Sequence, residues 1–221
     1  MKRILVFGDS NSWGYTDEDN GQRYEKRWPV LLNQELIQKG FNTEIIEDCL
    51  PGRTTNIDDP QDGIHLNGAK VLKSSLLSHS PIDLVLLMLG TNDLKFRFQR
   101  TAENIADGIK ELIQIVLNTN SGSGGWHDAN KSNLVVICPP TLGEKSYDPK
   151  WINFKEWKGG LEKSKELHFS FEKVCSQMGV HLIDANEFCQ SSSIDPIHWS
   201  KKMHLKFSEN LANIIDQKIK L

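Results

Sequence analysis

Three short stretches carry side chains whose types and spacing suit acyl chemistry. Near the N-terminus, Phe7-Gly8-Asp9-Ser10-Asn11-Ser12-Trp13-Gly14 places a hydroxyl directly after the apolar run 4–7. A run of that kind reads as a buried strand, so Ser10 falls at the carboxyl edge of a sheet, where ligands bind. The flanking glycines allow a tight turn and a close approach. Leu89-Gly90-Thr91-Asn92-Asp93 repeats the arrangement, and Asn92 brings an amide donor for a developing oxyanion. Asp195-Pro196-Ile197-His198 completes the set. Residues three apart on one helical turn share a face, so Asp195 can hold the His198 imidazole as an orienter holds a base. Singly, each has a plainer reading: a helix N-cap, a turn residue, a solvated loop pair. Together they supply nucleophile, donor, orienter and base in the order Ser…Asp…His, which triads use.

The elements that position these residues follow from apolar patterning. Five short runs, at 4–7, 43–47, 84–89, 134–138 and 181–183, each end in a turn. The first, third and fourth are nearly unbroken Val, Ile and Leu, as in strands buried on both faces. Amphipathic stretches at 28–39, 101–118, 159–178 and 208–221 read as helices. Val30, Leu31, Leu36 and Ile37 form one stripe; Ile105, Ile109, Leu112, Ile113 and Val116 form another. The alternation predicts an α/β fold, a three-layer α/β/α sandwich on a parallel sheet, as one domain over 1–221. Two stretches break the rhythm: 118–132, with Trp126, His127 and Asp128, and 141–158, with Pro149, Trp151, Phe154 and Trp157. Both adjoin the fourth strand and read equally as surface loop or substrate-facing lid.

Composition narrows the classes. The 221 residues hold 26 Lys+Arg against 29 Asp+Glu, a net charge of -3 that argues against a nucleic-acid partner. No apolar run approaches a membrane span, and the four apolar residues after Met1-Lys2-Arg3 are too few for a signal-peptide core. Cys49, Cys138, Cys175 and Cys189 are scattered, without a C-x-x-C pair. That suits free thiols in the cytoplasm better than a zinc knuckle or disulfide scaffold. No metal or cofactor is expected. The absence of a G-x-G-x-x-G or Walker-type loop argues against a non-catalytic, nucleotide-binding module of flavodoxin type.

The sequence resembles the SGNH (GDSL-type) hydrolase family over nearly its whole length. Gly8-Asp9-Ser10 is similar to the nucleophile block, Pro51-Gly52-Arg53-Thr54-Thr55 to the glycine block, Gly90-Thr91-Asn92-Asp93 to the asparagine block and Asp195-x-x-His198 to the last. The resemblance implies a flavodoxin-like, five-stranded parallel sheet. It implies Ser10 as nucleophile, His198 as base and Asp195 as orienter. It also implies an oxyanion hole from Ser10, Gly52 and Asn92. Trp13, the run 53–60 and Leu66-Asn67-Gly68-Ala69 look like the arylesterase and acyltransferase/perhydrolase branch. That similarity implies a small-molecule ester substrate, short acyl groups passed to water or another acceptor, and a homo-oligomer; no membrane partner is expected, because no apolar run is long enough to span one. Carbohydrate-ester deacetylase and lysophospholipase/thioesterase activities are the alternatives on the same fold. Asn11 stands where the nucleophile block usually has Leu, and Pro51 precedes the hole glycine. Asn11, Trp13 and Arg53 are expected at the substrate pocket, with Arg53 also a candidate partner for Asp9 or Asp93. Those two carboxylates read as turn residues, and His204 as structural on an exposed helical segment.

Overall fold

The apolar runs pair in parallel. The computed structural model describes residues 1–219. Its sheet consists of β1 (Lys2–Gly8), β2 (Thr43–Cys49), β3 (Leu84–Met88), β4 (Asn133–Cys138) and β5 (His181–Asp184), in the order β2-β1-β3-β4-β5. The registers Ile4↔Leu84 and Val85↔Leu134 align the three central strands. Their unbroken apolar character follows from burial on both faces.

Among the described residues, seven α-helices accompany the sheet: α1 (Ser10–Trp13), α2 (Trp28–Gln38), α3 (Gly68–Ser78), α4 (Ala102–Asn118), α5 (Phe154–Trp157), α6 (Gly160–Met178) and α7 (Lys201–Lys218). One core joins Leu5, Phe7, Val85, Leu87 and Val136 to α3, α4 and α6. The other joins Ile4, Val6, Leu84, Leu86 and Ile137 to α2 and α7. Alternate side chains of each strand thus feed alternate layers. The α4 boundary is fixed by a capping box in which Thr101 Oγ1 accepts the Asn104 N–H at 3.2 Å.

Several expectations are corrected. The stretch 68–78 is helical although no helix was expected there; Asn67 caps it by accepting the Ala69 N–H. In α2, Leu31, Leu32 and Leu36 face inward, whereas Val30 is half-buried and Ile37 exposed. The last helix begins at Lys201 rather than 208, and it is not an exposed segment. His204, Phe207, Leu211 and Ile215 are fully buried along it. The stretch 118–132 is not a lid, because it feeds β4 at the amino edge of the sheet. There the Ser121 carbonyl accepts the Ile82 N–H at 2.7 Å. Only 141–158 leaves β4 at the carboxyl edge.

Strand order reverses between β1 and β3, and the crevice at that switch point lies outside their carboxyl ends. The loops after β1, β2 and β3 carry Ser10, Gly52 and Asn92 into it.

Candidate active site

Ser10 opens α1, and Asp9 caps that helix by accepting the Asn11 N–H at 3.1 Å. The chain reverses closely enough that a Cβ on Gly8 would sit 2.3 Å from Ser12 Oγ, so only glycine fits. Gly52 holds a φ of 88°, which favours glycine, and this turns its N–H after Pro51.

The Asp195–His198 pair is formed, but on a loop rather than a helical turn. Pro196 lies within it, and Asp195 Oδ1 instead accepts the N–H groups of Ile197 at 2.8 Å and His198 at 3.3 Å. Asp195 Oδ2 lies 2.6 Å from His198 Nδ1, and His198 Nε2 lies 2.9 Å from Ser10 Oγ. Burial works to raise the Asp195 pKa. The His198 ring and the two N–H groups outweigh it and hold the carboxyl below its ordinary value. With Nδ1 facing a carboxylate, Nε2 is left to face the hydroxyl as a base.

Donors surround the hydroxyl. The N–H groups of Ser10 and Gly52 have no hydrogen-bond partner among the described residues. Asn92 Nδ2 spends one hydrogen on the Arg53 carbonyl at 3.1 Å, which fixes the amide and leaves the other free. A cavity of about 250 Å³ is lined by Ser10, Gly52, Asn92 and His198 together with Tyr15, Lys95, Glu156 and Trp157. Tyr15, Lys95 and Glu156 had no signal in the sequence, whereas Trp157 belongs to the 141–158 stretch read as surface loop or substrate-facing lid. Tyr15 lies against His198, ring centroids 4.1 Å apart. Lys95 Nζ is 3.3 Å from Glu156 Oε1, and Arg97 Nη1 holds the same oxygen at 2.7 Å.

The three expected pocket residues are elsewhere. Asn11 is buried beneath the loop: its amide donates to the Ile197 carbonyl at 3.2 Å and its carbonyl accepts the Trp199 N–H at 3.1 Å. Trp13 is half-buried outside the cavity lining, with the Arg23 guanidinium 5.5 Å from its ring centroid. Arg53 is buried, pairs with Asp48 at 2.7 Å and lies over the Phe7 ring. It therefore pairs with neither Asp9 nor Asp93. Asp93 binds Arg100 at 2.7 Å and accepts from the Thr55 N–H and hydroxyl. Burial pushes Asp9 up to about 6 against the pull of the Asn11 N–H. His204 is driven down to about 3 by burial, and its Nδ1 accepts the Trp28 N–H at 3.2 Å. Among the described residues, Cys138, His168 and Asp184 are a group with metal-ligand atoms close together; none lines this cavity.

The strand order and the aligned Asp195, His198 and Ser10 define a class, the SGNH-type hydrolases. The chain belongs to the GDSL-like lipase/acylhydrolase family, whose model matches residues 6–206. It is 29% identical over 147 residues to an arylesterase of Vibrio mimicus; the match takes in 66% of this chain and 60% of that protein. The chain thus spans about three fifths of that relative's length. The inhibitor-bound aryl esterase of M. smegmatis superimposes with a TM-score of 0.87 at 36% identity, covering 98% of this chain and 99% of that one. A carbohydrate acetylesterase from Sinorhizobium meliloti gives a TM-score of 0.87 at 35% identity, with the same coverage.

Proposed function

We propose that the protein is a serine esterase that removes short acyl groups from small esters through an acyl-enzyme on Ser10. The observation that carries this reading is the unbroken line Asp195–His198–Ser10 beside three free N–H donors. His198 Nε2 takes the Ser10 proton as Oγ attacks the ester carbonyl. Asp195 stabilises the imidazolium and keeps the ring in place. The carbonyl oxygen, now negative, is held by the N–H groups of Ser10 and Gly52 and the Asn92 amide. His198 returns its proton to the departing alcohol. Water, deprotonated by the same ring, then attacks the acyl-enzyme and regenerates Ser10.

The cavity of about 250 Å³ suits an acetyl-sized or slightly longer acyl group rather than a lipid chain. Lys95, Asn153 and Glu156 on its wall favour a polar leaving group, and the likeness to a carbohydrate acetylesterase supports a sugar ester as second reading. The exposed Ile64, Phe96 and Ile152 sit on three segments linked through Arg97's bonds to Asp59, Asp62 and Glu156. They support self-association at the cavity rim, which light scattering would register. No helix among the described residues is long and apolar enough to cross a membrane. The four cysteines are all free, which supports a reducing, cytoplasmic setting.

A fluorophosphonate probe should label Ser10, and Ser10→Ala should abolish both labelling and p-nitrophenyl acetate hydrolysis with the fold intact. Full activity in Ser10→Ala would overturn the assignment. Acetyl esters should react faster than octanoyl esters; the reverse order would remove the short-acyl reading.

A further inference from the structure

On the α6 side of the sheet, three side chains remote in sequence converge. Cys138 ends β4 and Asp184 ends β5, and the two are register partners, so they share a face. His168 comes down onto that face from α6. One ligand atom from each, Cys138 Sγ, a His168 ring nitrogen and an Asp184 oxygen, lies within 4.8 Å of the others.

Two details separate this group from an ordinary ion pair. His168 Nδ1 lies 3.3 Å from Asp184 Oδ2, yet this buried nitrogen makes no hydrogen bond. A plain histidine–carboxylate pair at that distance carries an N–H···O bond. Two ligand atoms side by side without one have the spacing of neighbours around a tetrahedral ion, about 3.3–3.5 Å for bonds of roughly 2.0–2.2 Å. Asp184 is also oriented from behind: its Oδ1 accepts the Asn186 N–H at 3.0 Å and the Asn186 amide at 2.7 Å, leaving Oδ2 toward His168. Such outer contacts are what aim metal-ligating carboxylates. Cys138 is fully buried, and its thiol has only a long contact of 3.6 Å to the Pro139 carbonyl.

We propose that Cys138, His168 and Asp184 form a binding site for a zinc-class divalent cation. The S, N, O donor set matches that class, and three protein ligands leave a fourth position for water. The His168 side chain is 42% exposed, which opens a path for the ion from solvent. On binding, the Cys138 thiol gives its proton to solvent and ligates as thiolate, so affinity falls as pH is lowered. The consequence for the enzyme is mechanical. Asn186 Oδ1 also accepts the Thr141 N–H at 2.8 Å, at the start of the stretch that carries Asn153, Glu156 and Trp157 to the cavity. An ion at β4, β5 and α6 pins the base of that stretch. This site stands independently of the reaction at Ser10.

The test is a Co(II) titration of the full chain, stripped with chelator and kept in a non-thiol reductant. The expected result is one equivalent bound, with visible bands of a tetrahedral ion and a near-ultraviolet sulfur-to-cobalt band, both displaced by Zn(II). Cys138→Ser should lose the sulfur band. His168→Gln should weaken binding about tenfold or more, on the scale that ligand-shell losses show. Because Cys138 is buried, its variant is checked by circular dichroism; if it does not fold, the half-exposed His168→Gln decides alone. No saturable sulfur band, or a band that His168→Gln leaves unchanged, overturns the site.

Discussion

At the scale of single residues, direction matters more than proximity in sequence. A helix turns about 100° per residue. With Ser10 facing the cavity, Asn11 points down toward the His198 loop, which is why a neighbour of the nucleophile is not a pocket wall. Ser10, Asn92, Asp195 and His198 were legible because each chemistry depends on residue type at a strand end or at short spacing. Tyr15, Lys95 and Glu156 were not, because their contacts depend on where loops return. Asn92 is a donor with one hydrogen already committed to the Arg53 carbonyl. Asn92→Ala should therefore lower kcat by about 10²–10³ with little change in KM. An effect confined to KM would make Asn92 a ground-state binding group. Asn11 holds the residues on either side of His198 through buried bonds to Ile197 and Trp199. Asn11→Ala leaves both partners unpaired, at a cost of about 1–3 kcal/mol. It should depress kcat more than it raises KM, since the base and not the pocket loses its anchor. Unchanged denaturant midpoint and kcat would show that the loop holds itself.

At the scale of elements, the sheet was readable because β1, β3 and β4 are buried on both faces and so carry continuous apolar runs. The helices were harder. The stretch 68–78 has Lys and Ser between its buried Leu72 and Leu76, so its stripe is thin. The early turns of α7 were hidden because its first fully buried residue is His204, a polar type occupying a core position. The cavity wall depends on a different kind of element, loops joined by charge. Arg97 bridges Asp59 at 2.5 Å, Asp62 at 2.9 Å and Glu156 at 2.7 Å. The Asp59 side chain is fully buried, so its partner cannot be replaced by water without rearrangement. Arg97→Ala should cost about 3 kcal/mol or more, the range for breaking a buried pair. Glu156 would be held by Lys95 alone, so KM should rise while the Ser10–His198 contact, in which Arg97 takes no part, keeps kcat within a fewfold. A midpoint in urea equal to the parent protein's would mean that the bridge contributes nothing net.

At the scale of the whole molecule, two buried groups of opposite charge type, Asp9 and His204, tilt stability with pH in opposite directions. Asp9 is raised from 3.8 to about 6, chiefly by burial. The folded state then binds more protons than the unfolded one between those values, so its contribution is full below 3.8 and lost as pH rises through about 6. His204 is lowered from 6.5 to about 3, again chiefly by burial. The unfolded chain protonates first, so its contribution is full above 6.5 and lost as pH falls toward about 3. Each slope reaches at most about 1.4 kcal/mol per pH unit, and the two oppose each other where the windows overlap. The substitutions that separate them keep the local hydrogen bonds. Asp9→Asn retains an N-cap, since Asn caps as well as Asp, and removes the charge. Its stability relative to the parent should climb from pH 4 to 6 and level off above. His204→Gln keeps an acceptor for the Trp28 N–H and removes the ionisable ring. Its relative stability should climb in the other direction, from pH 6.5 downward. Urea midpoints across that range measure both curves. Mirror-image trends would mean that the two buried groups pull stability in opposite directions as pH changes; flat difference curves would mean that neither group titrates differently on folding.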